Sequence, residues 1–373
     1  MLILIAFSSL VIFTLTYVLF YGYVRINARK PWNLKIDNTY EPSVSILVPV
    51  HNEEENIEKK LENLQSVDYP KEKIEVIIVD DASEDSTVTK INAALERNLG
   101  FKMTLIKQEI NHGKAVALNV ALNFATAPIV IVSDADTTWP SDALKKAMPY
   151  LADPTVGAIT GQGLNKQTNE SWVTKSEDKY LQLTSSIRLG ESKIHSTIRF
   201  EGGFCAYKRV AFRQFDCESG SDDSGTALEV IQHKYRTILA PDVLFYTTFP
   251  TSLKGKSKIK VRRANQLIGL WVKCLKSMFK RQLALPKRIV LPEVFLFIIN
   301  PVIFLLLALS AIATVLLFPF SYFSLMLLTA TLGLLIFARH LFQEVVFDNL
   351  LLFYASVSYL FGRCYVAWKK TKN

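Results

Sequence analysis

Cysteine is scarce in this chain, and the four present are poorly spaced for chemistry. Cys205, Cys217, Cys274 and Cys364 form no C-x-x-C pair, and no histidine stands at zinc-finger spacing from them. A thiolate metal centre is thereby excluded. A disulfide framework does not suit a chain of 373 residues, so reduced, mostly buried thiols are expected. Internal repeats and low-complexity linkers are also missing. Charge is absent from residues 1–24, MLILIAFSSLVIFTLTYVLFYGYV. The basic start and small-residue end of a signal peptide are missing there, so the segment is not read as one. About 20 apolar residues suffice to cross a bilayer core as a helix, and this segment has the length. Tyr21 and Tyr23 suit an interface, and Arg25, Arg29 and Lys30 then place the succeeding residues in the cytosol.

Apolar residues, by contrast, are abundant, 50% of the total with 23 phenylalanines, and the net charge is +9. Nucleic acid is the usual partner of a basic chain. Here the positive charge flanks apolar runs or clusters between Lys254 and Arg263. Membrane flanks and a phosphate-bearing small molecule account for it, and no nucleic acid is expected. Past Pro286 two more apolar runs, 291–318 and 322–338, are joined by an uncharged turn. Basic residues stand at both outer ends, so this hairpin also keeps the main domain cytosolic. The segment 349–362 is bracketed by Glu344, Asp348 and Arg363. It reads as an interfacial helix in preference to a further span, because Lys369 and Lys370 favour a cytosolic end. The expected organisation is a transmembrane helix at 1–24, a cytosolic domain at 25–285, and a membrane region at 286–373. That makes a multi-pass protein of the cell membrane.

Between these ends, strand and helix patterns alternate. Strands are expected at 44–50, 75–81, 102–108 and 129–136, and helices at 52–66, 86–100 and 113–126. Alternation of this kind implies an α/β fold with a mostly parallel sheet covered on both faces. Ligands of such sheets bind beyond the carboxyl ends of the strands. The polar tips HNEE, DDASED and SDAD all fall at those ends. In IVIVSDAD the run of β-branched residues ends in Asp134 and Asp136. Read as strand residues two apart, they share a face and suit a hard divalent cation, Mg²⁺ or Mn²⁺, that also takes substrate phosphates. An isolated D-x-D is more often turn or cap chemistry; its place beside two other acidic tips reverses those odds. In VDDASEDST, helix capping explains Asp85 and Ser86 but not the pair Asp80-Asp81. Lys114 opens a helix against the macrodipole, a conflict that a nearby phosphate or carboxylate relieves.

Four stretches in order, VSILVPVHNEEENI, VIIVDDASEDST, HGKAVALNVAL and IVIVSDADTTWPSDAL, resemble the successive motifs of family 2 glycosyltransferases. The resemblance runs from about residue 43 to about residue 270. It implies a GT-A fold, a Rossmann-like domain for nucleotide-diphospho-sugars, here with N-terminal and C-terminal transmembrane helices. It further implies that Asp81 contacts the nucleoside. Pro49, Asn52 and Glu53 would line the nucleotide pocket, and Asp134 and Asp136 would serve the metal and diphosphate. EGGFCAYKR resembles the acceptor-side loop, with Gly202 and Gly203 letting a sugar approach. The SGSDDSGTALEV segment resembles the one that carries the catalytic base, placed at Asp223 with Asp222 on the acceptor side. An N-cap is the competing reading of that pair.

The basic stretch at 254–271 would hold the leaving diphosphate through Arg262 and Arg263, or else lie on anionic headgroups. Polymer-extending relatives carry Q-R-x-R-W here. Only the second position matches, and Trp271 lies about a turn away, so processive polymerisation is placed behind single transfer. The reading is a membrane-bound, metal-dependent, inverting glycosyltransferase. Its donor would be UDP- or GDP-linked, and its acceptor a lipid-linked or membrane-proximal glycan. The alternatives are a processive polysaccharide synthase of the hyaluronan, cellulose or poly-N-acetylglucosamine type, with a homo-oligomer supplying further spans, and a catalytically silent membrane scaffold.

Overall fold

The computed structural model describes residues 1–97, 99–166, 172–248 and 253–362, with backbone only at 172–180, 253, 340 and 341. Lys369 and Lys370, on which the expected C-terminal topology rests, lie outside the described residues. The chain divides into two compact units. One comprises residues 1–23, 252–281 and 286–365; the other comprises mainly residues 24–251.

The second of these is the α/β unit. The strands are β1 (Val44–Val50), β2 (Ile74–Asp81), β3 (Lys102–Gln108), β4 (Ile129–Val132), β5 (Val156–Asn165), β6 (Cys205–Lys208) and β7 (Arg236–Thr247). Among the described residues they form one seven-stranded sheet in the order β3-β2-β1-β4-β6-β5-β7. β1, β2, β3 and β4 run parallel, as the alternating pattern implies. β6 is antiparallel to both its neighbours, so the sheet is mixed. A strand of four residues returning directly from the glycine pair needs no helical crossover, so nothing forces it parallel.

The helices of this unit are α2 (Ile57–Gln65), α3 (Thr87–Leu95), α4 (Lys114–Leu122), α5 (Ala143–Leu151), α6 (Trp172–Ile194) and α7 (Asp222–Gln232). α1 (Leu2–Ala28) precedes them. Strand alternation sorts the core into two layers. Ile46, Val48 and Ile78 pack with Ile57, Leu61 and Leu144 on one face. Leu47, Ile77 and Val79 pack with Leu118 and Ala227 on the other. β4 stops at Val132, so Asp134 and Asp136 stand on a loop and strand alternation does not place them. The helices also start later than the sequence pattern suggests. Their first polar residues, such as Asn52 and Glu53, form the loops that carry the site.

The other unit collects α8 (Leu253–Phe279), α9 (Lys287–Val294), α10 (Asn300–Leu317), α11 (Tyr322–Phe337) and α12 (Arg339–Leu360) with the start of α1. α8 therefore groups with the apolar helices and not with the sheet, unlike the 25–285 division drawn from sequence. A π-helical segment, Phe295–Ile299, joins α9 to α10. Two helices are long and apolar enough to cross a membrane among the described residues: Leu2–Ala28, and the run Lys287–Leu317. α11 has 16 residues, about 24 Å of rise, less than a hydrocarbon core of about 30 Å. Only together with Phe342–Leu360, to which it is bent by 108°, is it long and apolar enough to cross.

The surface of this unit is inverted relative to a water-soluble bundle. Leu4, Val18, Leu19, Leu309, Ile312 and Leu316 face outward, while Ser310, Thr314 and Ser324 are buried. Apolar exterior and polar interior is the arrangement a lipid solvent favours.

Candidate active site

The loops beyond the carboxyl ends of β1, β2 and β4 are tied to one another by polar contacts. Asn52 holds a positive φ of 55°. Its N–H donates to Ser83 Oγ at 2.9 Å, and its side-chain oxygen accepts from the Glu84 N–H at 2.9 Å. The Glu53 N–H donates to Thr87 Oγ1 at 2.8 Å. Asn52 and Glu53, expected at the nucleotide pocket, thus fasten the β1 loop to the β2 loop. Pro49 is buried within β1 opposite Val79, so it belongs to the wall of that region.

Asp81 is fully buried. One carboxylate oxygen accepts from the His112 N–H at 2.8 Å and the other from the Gly113 N–H at 2.7 Å. Gly113 sits at φ 91°, a conformation that costs a side-chain-bearing residue, so glycine there lets the loop turn onto Asp81. Asp81 therefore organises the start of α4. Its neighbour Asp80 keeps an enclosed oxygen, Oδ1, with no hydrogen-bond partner among the described residues.

Lys114, the first residue of α4, lies 2.7 Å from Asp134 Oδ1 and 3.2 Å from Asp222 Oδ2. This one ammonium joins the β4 loop to the start of α7. Burial alone would depress it, but Asp134, Asp222 and Asp223 outweigh burial and hold it protonated well above the usual lysine range. The dipole conflict at the helix start is resolved by these carboxylates.

Around the pair Asp134 and Asp136 negative charge accumulates. Lost hydration in the recess, then the charges of Asp134 and Glu53, push Asp136 up to about 6, although its outer surface remains open to solvent. Asp223 is also raised to about 6, by burial and then by Asp222; Lys114 and the hydrogen bonds from Ser221 and Ser224 act against the rise. Its Oδ1 accepts from Ser221 Oγ and from the Ser224 N–H, both at 2.7 Å. The N-cap of α7 is Ser221, and Asp222 and Asp223 lie within the first helical turn, so the N-cap reading of that pair is not what the fold uses.

The glycine pair is packed tightly. A Cβ on Gly202 would stand 2.5 Å from Lys114 Nζ and 2.7 Å from Asp134 Oδ2, so glycine here makes room for that ion pair. Gly203 is buried, and a Cβ on it would stand 2.2 Å from the Phe245 ring, so it serves packing. The Gly203 carbonyl accepts from Trp139 Nε1 at 2.7 Å, and the Gly202 carbonyl accepts from the Asp134 N–H at 3.2 Å.

Two basic residues of this centre were not expected from sequence. Lys60 is fully buried beneath the Asp134–Asp136 loop. It donates to Ser133 Oγ and, at 3.1 Å, to the Thr137 carbonyl, and it lies 4.7 Å from the Trp139 ring centroid. Burial lowers it to about 7 against the pull of Asp134 and Asp136. Its signal was a lysine among Ile57, Leu61 and Leu64, on the buried face of α2. Arg188, 1% exposed, pairs with Glu201 at 3.1 Å and so fixes the residue before the glycines. Nothing in the sequence pattern marks it.

The basic stretch is corrected in two respects. Lys256 and Lys260 are spent in ion pairs with Glu344 and Asp348 at 2.6–3.0 Å. Trp271 is 0% exposed, so its ring faces are covered and cannot stack on a sugar. Arg262 and Arg263 stand on the same helix, α8.

As for a metal, Asp134 and Asp136 are two hard oxygen ligands in an over-negative recess, which suits Mg²⁺ or Mn²⁺. No third His, Cys, Asp or Glu joins them among the described residues. The coordination would be completed by water and substrate oxygens.

Comparison with known proteins shows the family and the fold. The profile of glycosyl transferase family 2 matches residues 45–216. The structure superposes on a mannosyltransferase from Pyrobaculum calidifontis, solved in complex with GDP-Man and Mn²⁺. The TM-score is 0.82 at 30% identity, covering 97% of this chain and all of that one. The chain belongs to glycosyl transferase family 2 and has the GT-A fold. Poly-beta-1,6-N-acetyl-D-glucosamine synthase of Staphylococcus epidermidis is 26% identical over 243 residues, 63% of this chain and 58% of that protein. Beta-monoglucosyldiacylglycerol synthase of Synechocystis sp. is 32% identical over 202 residues, 52% of this chain and 41% of that protein. The chain thus matches about half the length of these relatives.

Proposed function

We propose that this protein is a membrane-anchored inverting glycosyltransferase. It would move a sugar from a nucleotide-diphosphate donor to a hydroxyl of a lipid-linked or membrane-proximal acceptor. The observation that carries the reading is Lys114 bridging Asp134 to Asp222, because it gathers the diphosphate side and the acceptor side of a transferase around one cation. Asp134 and Asp136 would hold a divalent cation, which when bound would supply charge neutralisation of the diphosphate. Asp81 holds the His112–Gly113 turn on the nucleoside side, and Pro49, Asn52 and Glu53 shape that side.

Asp223, raised toward neutrality, takes the proton from the acceptor hydroxyl. The freed oxygen attacks the anomeric carbon as the bond to the diphosphate breaks, and the sugar leaves inverted. Gly202, having no side chain, leaves room for Lys114 and Asp134, and Asp222 orients Lys114. Arg262 and Arg263 are assigned to the departing nucleotide on family resemblance alone. The inverted surface of the apolar helices supports membrane anchoring, with the catalytic unit cytosolic by the basic flanks.

The names of the relatives support two acceptor classes. A polysaccharide reading is favoured by the staphylococcal synthase, and a lipid reading by the glucosyldiacylglycerol synthase. The buried Trp271 and the incomplete Q-R-x-R-W stretch favour single transfer. The test is nucleotide release by detergent-purified protein from a panel of UDP- and GDP-sugars, with Mg²⁺, Mn²⁺ or EDTA and a lipid extract. Release from one donor, lost with EDTA and in Asp136→Asn and Asp223→Asn, is expected. Absence of both release and nucleotide binding with every donor would refute the reading.

A further inference from the structure

The helical unit holds a polar cluster that transfer chemistry does not use. The Tyr17 hydroxyl of α1 is flanked by Asn300 of α10 and Asn349 of α12, with Asp348 and Glu293 close enough to act on it by charge. Asn300 and Asn349 are 0% and 1% exposed. The Asn349 amide nitrogen donates to Tyr17 only at 3.5 Å, the limit of a hydrogen bond, and to the Val345 carbonyl at 2.8 Å. Asn300 Nδ2 and Oδ1 and Asn349 Oδ1, all enclosed, have no hydrogen-bond partner of sound geometry among the described residues.

An enclosed amide without partners costs free energy, and a leucine would fill the same space without that cost. The backbone is adapted to present it. The π-helical turn Phe295–Ile299 immediately precedes Asn300, and such turns add a residue and re-aim the side chains beyond them, often at functional sites.

The orphan atoms comprise one amide donor and two carbonyl acceptors, which a hydroxyl group complements because it both donates and accepts. A phosphate is disfavoured. The nearby ammonium of Lys260 is already shared between Glu344 and Asp348, and Lys256 is held by Glu344. Asn300 lies 13 residues beyond Lys287 in a 31-residue apolar run, about 20 Å along its helix, so the group arrives at membrane depth.

From these observations we infer a binding site for an uncharged lipid head group bearing a free hydroxyl, formed by Tyr17, Asn300 and Asn349. The inference rests on the membrane-embedded part of the proposed function. Its readout is stability and not transfer, so the two fail separately.

The experiment reconstitutes the full chain into nanodiscs of phosphatidylcholine alone, or with a minor fraction of dioleoylglycerol or of dioleoyl phosphatidic acid, and reads thermal unfolding. Dioleoylglycerol is expected to raise the midpoint by about 4 °C and phosphatidic acid to leave it in place. Asn300→Leu should raise the midpoint in phosphatidylcholine alone and abolish the dioleoylglycerol shift, and Asn349→Leu should abolish it too. Any one of four results overturns the site: no shift in the wild type, which would mean internal water only; an equal shift with both lipids; a shift that survives in either variant; or a lowered midpoint for Asn300→Leu in phosphatidylcholine, which would make Asn300 a structural residue.

Discussion

Gly202→Ala is the most informative single substitution, because its consequence can be worked from distances. The added methyl would lie 2.5 Å from Lys114 Nζ, 2.7 Å from Asp134 Oδ2 and 3.1 Å from Asp134 Oδ1. Ordinary contact begins near 3.4 Å, so the ammonium must recede by about 0.9 Å and the carboxylate by about 0.7 Å. Both are ends of flexible side chains, so the fold relaxes and stability changes by less than about 1 kcal/mol. The chemistry does not relax with it. A misplacement of about 1 Å in a reacting geometry costs on the order of a hundredfold. Nucleotide release with saturating acceptor should therefore fall about 10²-fold while the unfolding midpoint moves by no more than a few degrees. Gly333→Ala is the matched control, since a Cβ there meets nothing within 4 Å on α11. That variant should keep full activity and gain about 0.5–1 kcal/mol from reduced chain freedom. If Gly202→Ala retains activity within threefold of wild type, the Lys114–Asp134 placement does not matter to the reaction, and the proposed catalytic centre is wrong.

The other expectations concern residues around the same centre. The pH–rate profile should lose activity on the acid side near pH 6, because Asp223 acts as a base only when ionised and its carboxyl is raised to about 6; a wild-type profile flat down to pH 5 would contradict the assignment. For stability the sign is opposite. The folded chain holds the Asp223 proton more tightly than the unfolded chain, so this group's contribution declines as pH rises from about 4 to about 6, and Asp223→Asn should raise the unfolding midpoint at pH 7.5 but not at pH 4. Asp81→Asn replaces an acceptor of two loop N–H groups with a partial donor and should cost about 1–3 kcal/mol and weaken nucleotide binding, both measurable by denaturant titration with and without UDP or GDP. Lys60→Ala should destabilise by about 2–4 kcal/mol, read from urea unfolding, since it leaves a cavity under Trp139 and strips the Thr137 carbonyl of its partner.

The sequence by itself determined whatever depends on local period and on length. Runs such as VSILVPV and IVIV are buried strands because β-branched residues pack on a pleated surface, and the alternating helices force the first four strands parallel. Parallel strands carry their polar tips to one edge, so connectivity alone gathers HNEE, DDASED and SDAD there. The apolar runs at 1–24 and 291–318 declared themselves by length alone.

Only the tertiary structure decided which charges meet. Lys60 pairs with Ser133 across 73 residues, and Lys256 finds Glu344 across 88. No periodicity records such pairings, because a long-range hydrogen bond or ion pair depends on the path of two loops or helices and not on the pattern within either. The same limit applies to Asp81: the motif relates it to a nucleoside, and only the fold shows its two oxygens also accepting from the His112 and Gly113 N–H groups. It explains Trp271 as well: a residue type suggests stacking, but only packing shows whether its face is open. Hydrophobic pattern specifies what must be buried. The side chain that neutralises a buried charge is chosen by topology, since desolvation makes an unpaired ion too costly wherever the fold happens to place it.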